Sequence, residues 1–212
     1  MMRCVNQGAM TVYLIRHGQS EGNVRGVLQG RLDLPLTAQG HAQAMHVAAR
    51  LAALPMETIF SSPLQRAAET AKALMSAQLQ RGRNPVLQHD ARLCEQFMGS
   101  KEGQRLDALR AEEQARGVIS LQAGGDDHDG ETAADVRVRM RSFVNEALMP
   151  LAAPHVAIVS HGNALGLLLC ELLNVREQAH HPFSFTNASL ATVRREGNHW
   201  RLLTLGDTQH LG

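Results

Sequence analysis

Two apolar runs, far apart in the chain, each end in a histidine followed by a glycine. Residues 12–15 lead into Arg16-His17-Gly18, and residues 156–159 lead into Ser160-His161-Gly162. Short continuous apolar runs of this kind read as strands buried on both faces, as in a parallel sheet covered by helices. Ligands of such open sheets bind just outside the carboxyl ends of the strands. A chain built this way delivers two histidines and an arginine to one place. That set is suited to holding and attacking an anion, most simply a phosphate.

The remaining punctuation alternates strands with helices. Thr37 predicts the N-cap of a helix running to about Leu54, with Ala42, Met45, Ala49 and Ala52 on its inner face. Residues 58–60 read as a short strand. Ser61-Ser62-Pro63 predicts the start of a helix carrying Leu64, Ala67, Ala71 and Leu74 on one side. A strand near Val86-Leu87 leads to an irregular segment at 92–103, a polar helix at about 104–116 and a loop rich in Gly and Asp at 124–130. Thr132 with Asp135 resembles a capping box, opening a helix through Val136, Met140, Phe143 and Leu148. A helix from Ala164 to Leu173 follows the second histidine. Residues 189–193 and 200–205 read as a hairpin at a sheet edge. The expected fold is α/β, a three-layer α/β/α sandwich with a mostly parallel central sheet, formed by one domain over residues 11–212. Residues 1–10 are expected to form an extension with little structure, Met10 being a second candidate start.

Composition narrows the partners. In 212 residues, 21 Lys and Arg nearly balance 20 Asp and Glu, so no global field draws in nucleic acid or an anionic membrane. Aromatics make up only 3%, too few for base-stacking platforms. No apolar stretch is long enough to span a bilayer, and residues 1–10 carry no export signal. The 3 cysteines, Cys4, Cys94 and Cys170, show neither metal spacing nor a disulfide framework, so a reducing cytoplasm is expected. The sequence suits a monomer or a homodimer acting on a small phosphorylated substrate.

Five further stretches accompany Leu14-Ile15-Arg16-His17-Gly18-Gln19-Ser20-Glu21-Gly22-Asn23. They are residues 30–37 with Gly40; Ser61-Ser62-Pro63-Leu64-Gln65-Arg66-Ala67 with Thr70-Ala71; Leu93-Cys94-Glu95 with Gly99 and Glu102-Gly103; Gly130-Glu131-Thr132; and Ser160-His161-Gly162-Asn163. In this order they resemble the histidine phosphatase superfamily, the phosphoglycerate-mutase-like proteins, from Thr11 to the C-terminus.

The residues suggest matching roles. A neutral imidazole at His17 can attack phosphorus and become a phosphohistidine. Neighbouring guanidiniums disfavour its charged form. Arg16 and Arg66 offer planar forks that match phosphate oxygens. His161, from the other strand, is expected to donate to the phosphoryl group in the transition state. Glu95 is the candidate acid for the leaving oxygen and then the base for water, a role that the resemblance also implies. Asn23 and Gln29 are candidate hydrogen-bonding partners of phosphate or substrate. Glu131 is a candidate substrate contact, and more simply a residue favoured by a helix N-terminus.

No cofactor or metal is called for. The remaining histidines lack a ligand spacing such as His-Glu-x-x-His, and the loop Asp126-Asp127-His128-Asp129 reads as solvated. The glycine-rich stretch 18–30 lacks the Gly-Lys-Ser/Thr ending of a P-loop. The expected activity is a phosphomonoester hydrolase, with a phosphoglycerate mutase as the alternative. The segment 96–130 lacks the longer basic insertion that the resemblance implies for mutases, and residues 205–211 resemble the phosphatase branch. A catalytically idle binding protein would have no chemical need for all of Arg16, His17, Arg66, Glu95 and His161.

Overall fold

A six-stranded sheet in the order β3-β2-β4-β1-β5-β6 forms the middle layer of the computed structural model. The structure describes residues 9–117, 129–175, 182–197 and 199–212. The elements run β1 (Met10–Arg16), α1 (Glu21–Arg25), α2 (Ala38–Leu51), β2 (Thr58–Ser61), α3 (Gln65–Gln80), β3 (Val86–His89), α4 (Leu106–Arg116) and α5 (Ala133–Phe143). They continue through β4 (His155–Ser160), α6 (Gly162–Leu172), β5 (Leu190–Glu196) and β6 (His199–Asp207).

β1 and β4 lie side by side and parallel at the centre, with β2 and β3 continuing the parallel half. The hairpin β5–β6 pairs antiparallel on the other side of β1 and ends the sheet. Both faces of β1 are apolar and both are covered. Val12 and Leu14 pack with Val156 and Ile158 under α5 and α6. Tyr13 and Ile15 pack with Ala157 and Val159 under α2 and α3. The expected three layers and mostly parallel sheet are present. Met10 belongs to β1 and is buried, so the expected extension over 1–10 runs one residue too far, its first eight residues lying outside the described ones.

Two local expectations are corrected. The inner face of α2 is Ala44, Val47, Ala48 and Leu51, whereas Ala42 and Ala49 are exposed and Met45 is 65% exposed. Gly40 fixes this rotation. A Cβ on Gly18 would lie 2.4 Å from the Gly40 carbonyl oxygen, and one on Gly40 would lie 2.0 Å from that of Gln19. The backbone therefore meets the turn after β1 at Gly40. The same rotation buries Val47 and Leu51, each stabilising by about 1.5–3 kcal/mol. Helix α3 starts at Gln65, with Leu64 as an N-cap that has no side-chain bond. The capping oxygen comes from the distant loop between α1 and α2, where Asp33 Oδ1 accepts the Gln65 N–H at 2.7 Å. The capping box at Thr132 and Asp135 is formed as expected, and α5 continues into a π-helical turn at residues 144–148.

Candidate active site

Register places the two histidines. Arg16 of β1 stands opposite Ser160 of β4, and the His17 N–H donates to the Ser160 carbonyl at 3.0 Å. One residue beyond, the imidazoles of His17 and His161 lie 5.2 Å apart between ring centres. Both are buried. The turn is braced from several sides. Thr70 on α3 accepts the Gly18 N–H at 3.1 Å, while the Ala188 N–H and the Asn187 side-chain amide donate to the His17 carbonyl at 3.1 and 3.2 Å.

The His17 tautomer follows from one contact. Its Nδ1 lies 2.6 Å from the Gly18 carbonyl oxygen, which can only accept, so Nδ1 carries the hydrogen and Nε2 keeps its lone pair. Burial is the largest cause holding the His17 imidazole well below the usual value, followed by the guanidiniums of Arg16 and Arg66, against the opposite pull of the Gly18 carbonyl. His161 is pushed the same way, by burial first and then by Arg66, His17, Arg16 and Arg139. Its Nε2 lies 2.9 Å from Ser62 Oγ, and Nδ1 is buried without a protein partner.

Each guanidinium is anchored on backbone. Arg16 Nη1 donates to the Phe185 carbonyl at 2.5 Å. Arg66, 1% exposed, donates from Nη1 to Leu32 at 2.9 Å and from Nη2 to Gly30 at 2.7 Å. The Nε atoms of both arginines are buried without a protein partner. Two fixed cations with unsatisfied donors suit an oxyanion.

Glu95 closes the site. Its carboxylate sits at the N-terminus of α6, where Oε1 accepts from Ala164 and Gln96 N–H, both at 2.9 Å, and Oε2 from Asn163 N–H at 3.2 Å. The Asn163 and Ala164 N–H groups are orphan donors of that helix end, and the carboxylate satisfies them.

Arg16, His17, Arg66 and Glu95 line one cavity of about 140 Å³ together with Asn23 and Gln29. Asn23 Oδ1 accepts from the Ser20 N–H and the Asn187 amide, and Gln29 Oε1 accepts from the Ser20 hydroxyl, which leaves the NH2 groups of both as donors for a ligand. Glu131 does not line the cavity. Its carboxylate binds Arg31, Arg139 and the Phe97 N–H, so the expected substrate contact is instead a tie between loop and helix. Sequence reasoning passes over Asn187 and Arg139, and reads Ser62 only as part of a helix start and a motif. Asn163, which lines the cavity, stands beside His161-Gly162, so its place in that motif was a usable signal. Of the loop 126–129, only Asp129 is described, and it accepts from the Ser100 N–H at 2.7 Å. No group of three or more metal-ligating side chains occurs among the described residues, and no described helix is long and apolar enough to cross a membrane.

Depressed basicity at two buried histidines has a consequence for stability. Above about pH 6.5, the ordinary imidazole value, neither state protonates them, so they add no pH dependence. Below it the unfolded chain takes up protons that the folded chain refuses, and the folded state loses stability as the pH falls. The limiting slope is about 1.4 kcal/mol per pH unit for each histidine. Denaturant titrations at pH 7.5, 6.0 and 5.0 are expected to show this decline, and His161→Asn should remove about half of it. A flat profile would contradict the buried neutral pair.

Similar proteins align with this chain across nearly their whole length. The chain is 34% identical over 209 residues to a probable phosphoglycerate mutase of Proteus mirabilis, covering 95% of each protein. Among solved structures, it superposes with a TM-score of 0.81 on a mycobacterial glucosyl-3-phosphoglycerate phosphatase complexed with VO3, at 29% identity, covering 94% of this chain and 100% of that one. It shares the fold of an α-ribazole phosphatase of Shigella flexneri, at 24% identity, 93% and 96% coverage and a TM-score of 0.80. The family pattern itself matches from residue 12 to residue 208, through both strands that end in histidine, and the chain belongs to the histidine phosphatase superfamily, branch 1.

Proposed function

We propose that this chain is a metal-independent phosphomonoester hydrolase that works through a phosphohistidine at His17. The observation that carries this reading is the bare Nε2 of a buried neutral histidine, fixed beside two arginines that each keep an unpaired Nε. In the first step Nε2 attacks phosphorus, and the bond to the leaving oxygen breaks as Glu95 in its protonated form gives that oxygen a proton. In the second step water attacks phosphorus, Glu95 takes the water proton, and the phosphorus–nitrogen bond breaks to release phosphate. Arg16 and Arg66 hold the equatorial oxygens throughout. His161, with Nε2 at the Ser62 hydroxyl, offers Nδ1–H to the same group as charge develops. The fixed guanidiniums supply the positive charge that a metal would otherwise bring. The described cysteines are buried free thiols, in keeping with a reducing cytoplasm.

Hydrolysis is favoured over mutase action by the outer wall. Among the described residues lining the cavity, the only cations are Arg16 and Arg66, and the wall beyond them combines the apolar Val27, Leu28, Met98 and Leu106 with the neutral amides of Asn23, Gln29, Gln96 and Asn163. Returning a phosphoryl group to a sugar acid calls for positive charge to hold the carboxylate. Of the basic residues in segment 96–116 whose side chains are described, Lys101 is half-buried and does not line the cavity, Arg105 is exposed and paired with Asp107, and Arg110 is exposed. A leaving group with an apolar or neutral surface fits this wall better than a carboxylate does.

The mutase reading keeps one point in its favour, the name of the relative from Proteus mirabilis. The two are separated with 3-phosphoglycerate and catalytic 2,3-bisphosphoglycerate in buffer containing EDTA, following isomer formation and phosphate release in parallel. Phosphate is the expected main product. Isomerisation outpacing phosphate release by tenfold, about 1.4 kcal/mol in barrier, would overturn the hydrolase reading. Loss of turnover in EDTA, restored by a divalent ion, would overturn metal independence.

A further inference from the structure

Behind the acid stands a cation that touches none of the reacting atoms. Arg139 on α5 uses all five of its N–H donors. Nη1 donates to the carbonyls of Arg92 and Cys94, the latter at 2.8 Å, and Nη2 to that of Glu95 at 3.2 Å. Nε and Nη2 bind the two oxygens of Glu131, each at 3.1 Å. Glu131 in turn accepts the Phe97 N–H at 2.9 Å, and its own carbonyl accepts from the Gln96 side chain at 2.5 Å. The strip from Cys94 to Phe97 is thus gripped on both sides of Glu95, while the Glu95 carboxylate is held by amides at the start of α6.

We propose that the Arg139–Glu131 pair is the positioning element for Glu95, locking the backbone of the acid against α5 so that its carboxylate stays at the N-terminus of α6. The inference rests on Glu95 acting as the acid of the proposed hydrolase. A flexible strip would let the carboxylate follow its backbone away from the leaving oxygen, and misplacement by about 1 Å can cost roughly 100-fold. The planar fork is required because three carbonyls and a carboxylate must be met at once. A lysine ammonium, a point charge with three donors, cannot do this.

The test uses Arg139→Met and Arg139→Lys with two readouts. Amide exchange at Asn163 and Ala164 reports whether Glu95 still accepts their hydrogens, independently of turnover, and Ile158 in the sheet centre reports global stability. Protection at Asn163 and Ala164 should fall about tenfold or more in both variants, with Ile158 little changed. Turnover of an alkyl phosphate should fall at least tenfold further than that of p-nitrophenyl phosphate, with KM little moved. In a Glu95→Gln background the substitution should add no further difference between the substrates. Unchanged protection at Asn163 and Ala164, full rescue by lysine, or equal losses on both substrates would overturn the proposal. If Arg139→Met does not fold, Glu131→Gln asks the same question from the other side of the pair. A wild-type protein that hydrolyses neither substrate would defeat the hydrolase reading, while the exchange data would still decide this one.

Discussion

His17→Ala is expected to abolish turnover, by roughly 10⁴-fold or more, and to remove the covalent adduct together with it. The imidazole Nε2 is the only atom of the proposed mechanism whose loss no neighbour can replace. His161, the nearest candidate, has its Nε2 at Ser62 Oγ. Wild-type protein quenched during turnover should carry a phosphoryl group on His17 that is labile in acid and stable in base. The variant should still fold, because His17 holds its surroundings through its backbone N–H and carbonyl, which alanine retains. Its melting curve below pH 6.5 should also be less pH-dependent, since one buried neutral imidazole is gone. An unlabelled His17 during normal wild-type turnover would exclude covalent catalysis.

Glu95→Gln should cost about 10²–10⁴-fold on substrates whose leaving oxygen needs a proton. An alkyl phosphate releases a strongly basic alkoxide and depends fully on the acid. p-Nitrophenyl phosphate releases a stabilised phenolate and should lose far less. The substitution also has a structural cost. The carboxylate accepts three backbone N–H groups, and a glutamine turns its NH2 toward one or more of them, leaving a donor unsatisfied at about 1–3 kcal/mol. A denaturation curve on the same variant separates that loss from the catalytic one, because lowered stability alone acts equally on both substrates. Equal losses would assign Glu95 to holding the start of α6 and no more.

The sequence was most legible where chemistry and secondary structure coincide. Arg16-His17 and His161 follow apolar runs whose burial on both faces marks parallel strands, so their convergence could be read from the chain alone. The acid was harder. Glu95 lies in an irregular segment after a short 3₁₀ turn, where no periodicity points to it, and its choice rested on the chemistry that the reaction needs together with the family resemblance. The rotation of α2 was misread because alanine spacing is ambiguous. The deciding contact, Gly40 against Gly18 and Gln19, joins residues more than 20 positions apart. Ser62 looked like a helix cap, yet its hydroxyl stands against His161 while Asp33 caps the helix. Arg139 and Asn187 gave no local sign. Each acts through backbone carbonyls tens or hundreds of residues away, and no motif announces which carbonyl will lie within reach.

The two histidines stand one residue past the same rung of one ladder, Arg16 opposite Ser160, so their separation is set by hydrogen bonding between strands. The wall around the leaving group hangs on segments near residues 23–30 and 95–106, which contribute no strand to the sheet. Inheritance can therefore act on the two parts independently. On the proposed mechanism, substitutions in the wall would change which alcohol is released, while the phosphoryl chemistry would pass unaltered from ancestor to descendant. Such a separation fits one chain being 34% identical to a protein named as a probable mutase and 29% identical to one named as a phosphatase. In such a lineage the sheet records common origin, and the loops record occupation.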